Sequence, residues 1–375
     1  MVIQNAKVLI GKKLVDTALT FRDTIVCIGA ADDTHEIFDA TGCYVLPGLV
    51  DVHTHGAAGE DFSDGRQAGL QTMMDYYAAH GVTSVLATTM TLGEAALTDA
   101  MRTLQAFKGN RGAKLAGIHL EGPFLSREKR GAQAAEHLRQ PDIALFYRFN
   151  EASGNRIKLV TVACEEEGAM DFIRQVSKTC AVSVGHTCAD YDAAMKAFEA
   201  GACGVTHLYN GMPPLHHRQP GVIGAALDSC ADAELICDGL HVHPAVIRAT
   251  FAMFGDKVNL ISDSLRCAGM EDGDYELGGQ PIRLRNGKAT LTGTDTLAGS
   301  AISLLDGVRN AVKFGIPLED AAYAASTAPA KRIGLTQTGC IQVGNCADLI
   351  VLDEKLELRA VFIDGVPQQI NPRRV

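Results

Sequence analysis

The sequence predicts an α/β fold: a (β/α)8 barrel carrying one small β-sheet domain built from both chain ends. Two patterns predict it. Through the middle of the chain, apolar strand-like runs alternate with amphipathic helical stretches at roughly 25–40-residue spacing, which signals βαβ units and a parallel sheet. The ends instead carry short alternating runs broken by Gly and Asp turns. The expected division is the small sheet domain from 1–46 with 340–375, and a barrel over 47–339.

Taken in order, 6–10 and 24–29 read as strands of a meander, and 341–344, 347–353 and 358–363 repeat that character at the other end. Barrel strands are expected at 45–52, 82–88, 114–120, 157–163, 180–185, 203–207, 234–238 and 258–263. Their near-continuous hydrophobicity fits strands covered on both faces. Leu70, Met73, Met74 and Tyr77 fall on one helical face closed by Gly81. Tyr191, Ala194, Met195 and Phe198 form another, with Asp190 as N-cap and Gly201 as terminator. Eight strands in about 290 residues is the content of a (β/α)8 barrel. An open doubly wound sheet is the alternative, but no Gly-rich phosphate fingerprint follows the first strand.

The chain has 375 residues, 47% hydrophobic and 21% charged, with net charge −10. That balance excludes a wholly disordered or collagen-like chain. The acidic balance, with no run of Lys or Arg, argues against nucleic-acid and membrane-surface partners. No apolar run approaches the roughly 20 residues of a membrane span, and the N-terminus lacks the charged and apolar regions of a signal peptide. Eleven Cys without a CxxC pair read as reduced thiols, so a cytoplasmic location is expected.

Polar, metal-competent residues fall at the ends of the predicted strands. His53 and His55 close the first, and their two-residue spacing turns both imidazoles to one face. Glu121 closes the third, His186 the fifth, His207 the sixth and Asp263 the eighth. Active sites of such barrels lie at this end, and imidazoles with a carboxylate suit zinc or a similar divalent cation. A lone His in an apolar segment is more often a hydrogen-bonded core residue, but four with Glu and Asp at strand ends are poorly explained that way. The remaining histidines get other readings. His119 shares a face with Glu121 and reads as orienting it. His80 suits the end of a helix, His35 and His137 have no supporting pattern, and His216, His217 and His243 stay open.

A second group suits an anion or a sugar. Asn210 and Gly211 follow His207, and Gly211 lets backbone approach a ligand. Arg218 and His241, with backbone N–H groups, could cradle a phosphate, although an ordinary surface Arg and loop His account for them equally well. No P-loop, GxSxG or catalytic-Cys motif is present, against ATP-driven phosphoryl transfer and covalent acyl transfer.

The run 47–56, PGLVDVHTHG, resembles the opening of the metal-dependent amidohydrolase superfamily. Runs 117–124 (GIHLEGPF), 185–187 (GHT), 206–212 (THLYNGM), 238–242 (DGLHV) and 297–300 (LAGS) are similar to its N-acetylglucosamine-6-phosphate deacetylase family. They span nearly the whole chain in the expected order. The resemblance implies the same barrel with a terminal sandwich. It implies that Glu121, His186 and His207 hold a principal metal, with His53 and His55 completing a second position that some members lack. It makes Asp263 general base and then acid, and it turns Asn210, Gly211, Arg218 and His241 toward a sugar phosphate. It further implies one or two divalent cations per subunit, zinc first with Fe, Mn, Co or Ni as alternatives. A homodimer with the phosphate pocket near its interface is also implied. The reaction implied is hydrolysis of the acetamide of N-acetylglucosamine 6-phosphate.

Three positions depart from the pattern. Gln133 stands where the family usually has a substrate-contacting His, Thr294–Asp295 replaces Asp-Gly, and 265–267 (LRC) replaces an Ala-rich stretch. Gln133 and Arg266 therefore keep open another N-acetylhexosamine phosphate, such as the galacto isomer, or another N-acyl metabolite. A non-catalytic scaffold of the same fold is the alternative of another class, disfavoured because every ligand position is intact.

Overall fold

The structure is a computed structural model describing residues 1–29 and 36–370. His35 lies outside them. Eight parallel strands follow one another in chain order around a barrel: Leu49–Thr54, Val82–Thr89, Lys114–Glu121, Ile157–Val162, Ala181–Val184, Gly204–Val205, Asp232–Ile236 and Val258–Ile261. The first and eighth strands meet through the Asp263 N–H, which donates to the His53 carbonyl at 2.9 Å. The buried Asp51 carboxylate joins the same seam, accepting from the backbone N–H of both His53 and Ser262 at 3.3 Å.

Helices Gln67–Ala79 and Tyr191–Glu199 lie where the apolar spacing placed them. Asp190 caps the second, accepting from the Ala193 N–H at 2.8 Å. His80 ends the first, its ring nitrogen 2.7 Å from the Tyr76 carbonyl. The short helix Thr327–Arg332 places Ala330 in one buried cluster with Val50, Val52, Leu86 and Ile236 of the barrel strands.

Both chain ends contribute to a second sheet, in the order Val366–Pro367, Leu358–Ile363, Leu349–Leu352, Tyr44–Pro47, Val2–Ile10, Lys13–Phe21, Ile25–Ile28. Along one edge Val2–Ile10 pairs first with Ile37–Asp39 and then with Tyr44 and Val45, so the sheet forks there. Its core includes Ile3, Leu19, Phe21, Val45, Leu349 and Phe362.

Three expectations need correction. The run 45–52 is two strands, because Gly48 turns the chain from the terminal sheet into the barrel. A Cβ at Gly48 would collide with Thr83 on the second barrel strand. Residues 341–344 form no strand, although Ile341 is buried in the terminal core. A three-stranded meander, Gly273–Leu277, Gln280–Arg285 and Lys288–Leu291, follows the eighth barrel strand where no element was expected. Leu277, Ile282 and Leu284 pack there with Leu265, Cys267 and Ala132.

Candidate active site

His53 lies on the first strand and His55 one residue beyond its end, so alternation brings both to the barrel mouth. Glu121 ends the third strand. His186, His207 and Asp263 each sit two residues past a strand end, with left-handed backbone at φ 46°, 31° and 48°. A non-glycine residue seldom adopts that conformation, and such residues cluster at functional sites. All six are buried.

The nitrogens and oxygens converge. His186 Nδ1 donates to the Lys129 carbonyl at 2.7 Å and His207 Nδ1 to the Asn210 carbonyl at 3.1 Å. A carbonyl can only accept, so Nε2 is the atom at which each ring offers a lone pair to a cation. These two atoms lie 3.0 Å apart, with Glu121 Oε1 at 3.3 and 3.1 Å. Two ligands of a tetrahedral zinc stand about 3.3 Å apart, given Zn–N bonds near 2.05 Å. Facing lone pairs beside a carboxylate oxygen call for a cation between them.

His53 and His55 complete the cluster. His55 Nε2 is 3.1 Å from Glu121 Oε2 and 3.4 Å from Asp263 Oδ1. His53 Nε2 is buried and makes no hydrogen bond, yet has Glu121 Oε1 at 3.4 Å and Asp263 Oδ1 at 3.5 Å. Glu121 thus serves both the His186–His207 side and the His53–His55 side, and each trio has its donor atoms close enough to share an ion. This donor set fits a divalent metal, with ligands the chain supplies in position.

Gln133 is buried, and its amide reaches both neighbours: Nε2 donates one N–H to Glu121 Oε2 at 2.9 Å and Oε1 accepts the Thr91 N–H at 2.7 Å. Asn210 turns its amide back onto the His207 and Leu208 carbonyls. Gly211 has φ 61°, and a Cβ there would stand 3.1 Å from His186 Nδ1. His241 is held by Asp238, Nδ1 to Oδ2 at 2.6 Å. Arg218 is exposed on a loop and contacts its neighbour His217. Among the described residues, no hydrogen bond joins Arg218 to His241 or Asn210.

Residues 44–368 match the amidohydrolase family. The chain belongs to the amidohydrolase family. An N-acetylglucosamine-6-phosphate deacetylase of Bacillus subtilis (strain 168) is 39% identical over 86% of this amidohydrolase and 83% of its own length. An N-acetylgalactosamine-6-phosphate deacetylase of Escherichia coli O157:H7 is 35% identical over 86% of each chain. Among solved structures, a mutant N-acetyl-D-glucosamine-6-phosphate deacetylase of Mycobacterium smegmatis, in complex with N-acetyl-D-glucosamine-6-phosphate, superposes with TM-score 0.92. It is 33% identical and each chain is covered to 99%.

The electrostatics of the amidohydrolase site follow from burial against neighbouring charge. Burial would raise the Glu121 and Asp263 carboxyls, yet facing imidazoles hold both below their ordinary values, Glu121 well below. Burial alone would lower His55, but Asp263 and Glu121 lift it to about 9. His119 moves the other way. Burial and the neighbouring His53 push it down to about 3, so it stays neutral. It does not orient Glu121; its Nε2 pairs with the Thr161 hydroxyl at 2.8 Å and its ring meets the His53 ring edge-on.

Arg266, singled out as a departure, pairs with Asp64 at 2.8 Å, close to the buried Asp61. His243 caps helix Pro244–Phe254, accepting from the Ala245 N–H. The sequence reading missed Glu234, whose Oε2 lies 2.8 Å from His53 Nδ1. A Glu inside the apolar run 233–236 was the available signal, because Glu is almost never fully buried without a partner.

Proposed function

We propose that the chain hydrolyses the acetamide of N-acetylglucosamine 6-phosphate to glucosamine 6-phosphate and acetate. The observation that carries this reading is the convergence of four imidazoles on the two oxygens of Glu121, with Asp263 alongside. Deacetylases of N-acetylhexosamine 6-phosphates, matched over most of the chain, support the substrate class.

Glu121, His186 and His207 would hold one divalent cation, zinc first among the candidates, and His53 and His55 with Glu121 a second. When bound, such an ion supplies Lewis acidity toward water and the amide carbonyl. Asp263 supplies the proton transfers. Burial would raise its carboxyl, but His53 and His55 hold it below 3.8, so it is ionised at neutral pH. It takes the proton of the attacking water and returns it to the departing amine. His241, oriented by Asp238, and the Asn210–Gly211 backbone face the sugar phosphate. Arg218 joins them from its exposed loop in a homodimer whose interface lies near that pocket. The compartment proposed is the cytoplasm.

The test is amine release by metal-reconstituted protein from N-acetylglucosamine 6-phosphate, its galacto epimer and unphosphorylated N-acetylglucosamine. Turnover of the phosphorylated gluco sugar above the other two is expected. Faster turnover of the galacto epimer would transfer the assignment to that sugar, a reading favoured by the 35%-identical Escherichia coli relative. Metal bound in stoichiometric amount with no turnover of any sugar would overturn the substrate class.

A further inference from the structure

Beneath the histidine cluster, inside the barrel, a buried carboxylate ties the site to the far end of the chain. Glu234 on the seventh barrel strand is fully buried. Its Oε2 faces His53 Nδ1 at 2.8 Å and accepts the His207 backbone N–H at 3.3 Å. Its Oε1 accepts from Arg332 Nη1 at 2.8 Å. Arg332 ends the helix Thr327–Arg332, and its side chain is only 1% exposed. Its Nη2 donates to the Ser183 hydroxyl at 2.9 Å on the fifth strand. A Cβ at Gly204, on the sixth strand, would collide with this guanidinium. Gly204 does not have positive φ, so it is the guanidinium, rather than the backbone conformation, that excludes a side chain there.

We propose that Arg332, acting through Glu234, is a positioning residue for the metal position at His53. The carboxylate takes the Nδ1–H of His53, and that leaves Nε2, facing Glu121 and Asp263, as the atom the ring can offer to a metal. Carboxylates placed behind metal-binding imidazoles commonly set ring orientation and basicity in this way. Arg332 holds the carboxylate in place: Nη1 donates to Oε1 while Nη2 is anchored on the Ser183 hydroxyl, which leaves Oε2 set against His53. Glu234 also holds the backbone of His207, so one carboxylate steadies ligands on both sides of Glu121.

The inference rests on the metal reading above, and the experiment separates the two. Wild type, Arg332→Gln, Arg332→Lys and Gly204→Ala are loaded with metal and dialysed against a fixed chelator. Retained metal is measured by mass spectrometry and folding by thermal melting. Arg332→Gln is expected to lose metal faster, with affinity reduced about 10–100-fold, and Arg332→Lys to recover part of the loss. Gly204→Ala, which pushes on the guanidinium from the neighbouring strand, should also lose metal faster than wild type. Cooperatively folded Arg332→Gln that retains metal as wild type does overturns the relay. Should that variant fail to fold, Gly204→Ala decides: retention equal to wild type overturns the relay. A wild type that binds no metal overturns the metal reading itself, and the relay with it.

Discussion

The side-chain amide of Gln133 donates to Oε2 of Glu121 at 2.9 Å, while its own oxygen accepts the Thr91 N–H at 2.7 Å. Each end of the amide has a partner inside the protein. Gln133 therefore steadies the shared carboxylate of the site with one N–H of its amide, and the amide carries a second. Gln133→Ala would leave Oε2 and a buried N–H without this partner, at a cost of about 1–3 kcal/mol. We expect kcat and metal affinity to fall together by about 10–100-fold, with little change in KM. A rise in KM alone would instead place Gln133 on the substrate.

Asp263 is separable from the metal donors by its task. Asp263→Asn keeps shape and hydrogen bonding but removes the basic oxygen. Metal content should stay near wild type while kcat falls by about 10²–10⁴-fold, the range of general acid–base assistance. Wild-type turnover in that variant would mean that another group moves the proton.

Asp238 fixes the orientation of His241, with Oδ2 at 2.6 Å from Nδ1 and Oδ1 accepting the N–H groups of Leu240 and His241 at 2.8 Å. Burial would raise the Asp238 carboxyl, yet His241 and these N–H groups hold it below 3.8. A depressed carboxyl stabilises the fold at pH above its unfolded value and ceases to do so as pH falls through its folded value. The clamp therefore persists at neutral and mildly acidic pH. Asp238→Asn should raise KM for the phosphorylated sugar several-fold at pH 7.5, and leave kcat within about threefold if His241 only binds phosphate. Steady-state kinetics on the phosphorylated sugar, with metal content checked, decides it. An unchanged KM would remove His241 from the phosphate site.

Much of this arrangement was legible in the sequence because its signals are local. Apolar runs mark the strands, and His53, His55, Glu121, His186, His207 and Asp263 all fall within two residues of a strand's C-terminal end. What was hidden depends on partners distant in the chain. Gln133 sits twelve residues past Glu121, and nothing local shows that its amide bonds to Glu121 and to the Thr91 N–H. Arg332 reads as one more basic residue in a helix end until the barrel closes around Glu234, 98 positions earlier. The meander over 273–291 was legible and overlooked. Asn286 and Gly287, at φ 49° and 75°, form the two-residue turn that Asn-Gly favours between strands, flanked by alternating Ile282, Leu284, Ala289 and Leu291. Gly48 misled in the opposite sense, since the apolar run passes through it without a break while the chain changes sheets.

Metal binding should compete with protons, and the direction is fixed by the carboxylates around His55. Burial alone would lower its pKa, but Asp263 and Glu121 raise it to about 9 in the metal-free chain, and His53 is raised as well. At pH 7 these imidazoles carry protons that a cation must displace, because only the neutral ring offers a lone pair. Affinity on the His53–His55 side should therefore rise with pH up to about 9, by roughly tenfold per unit for each proton displaced. Calorimetric titration of chelator-stripped protein with cobalt in buffers of different ionisation enthalpy counts the released protons directly. Affinity that stays flat between pH 7 and 9, with no protons released, would mean that His55 is neutral before the metal arrives. The carboxylates would then not be the groups that set its charge.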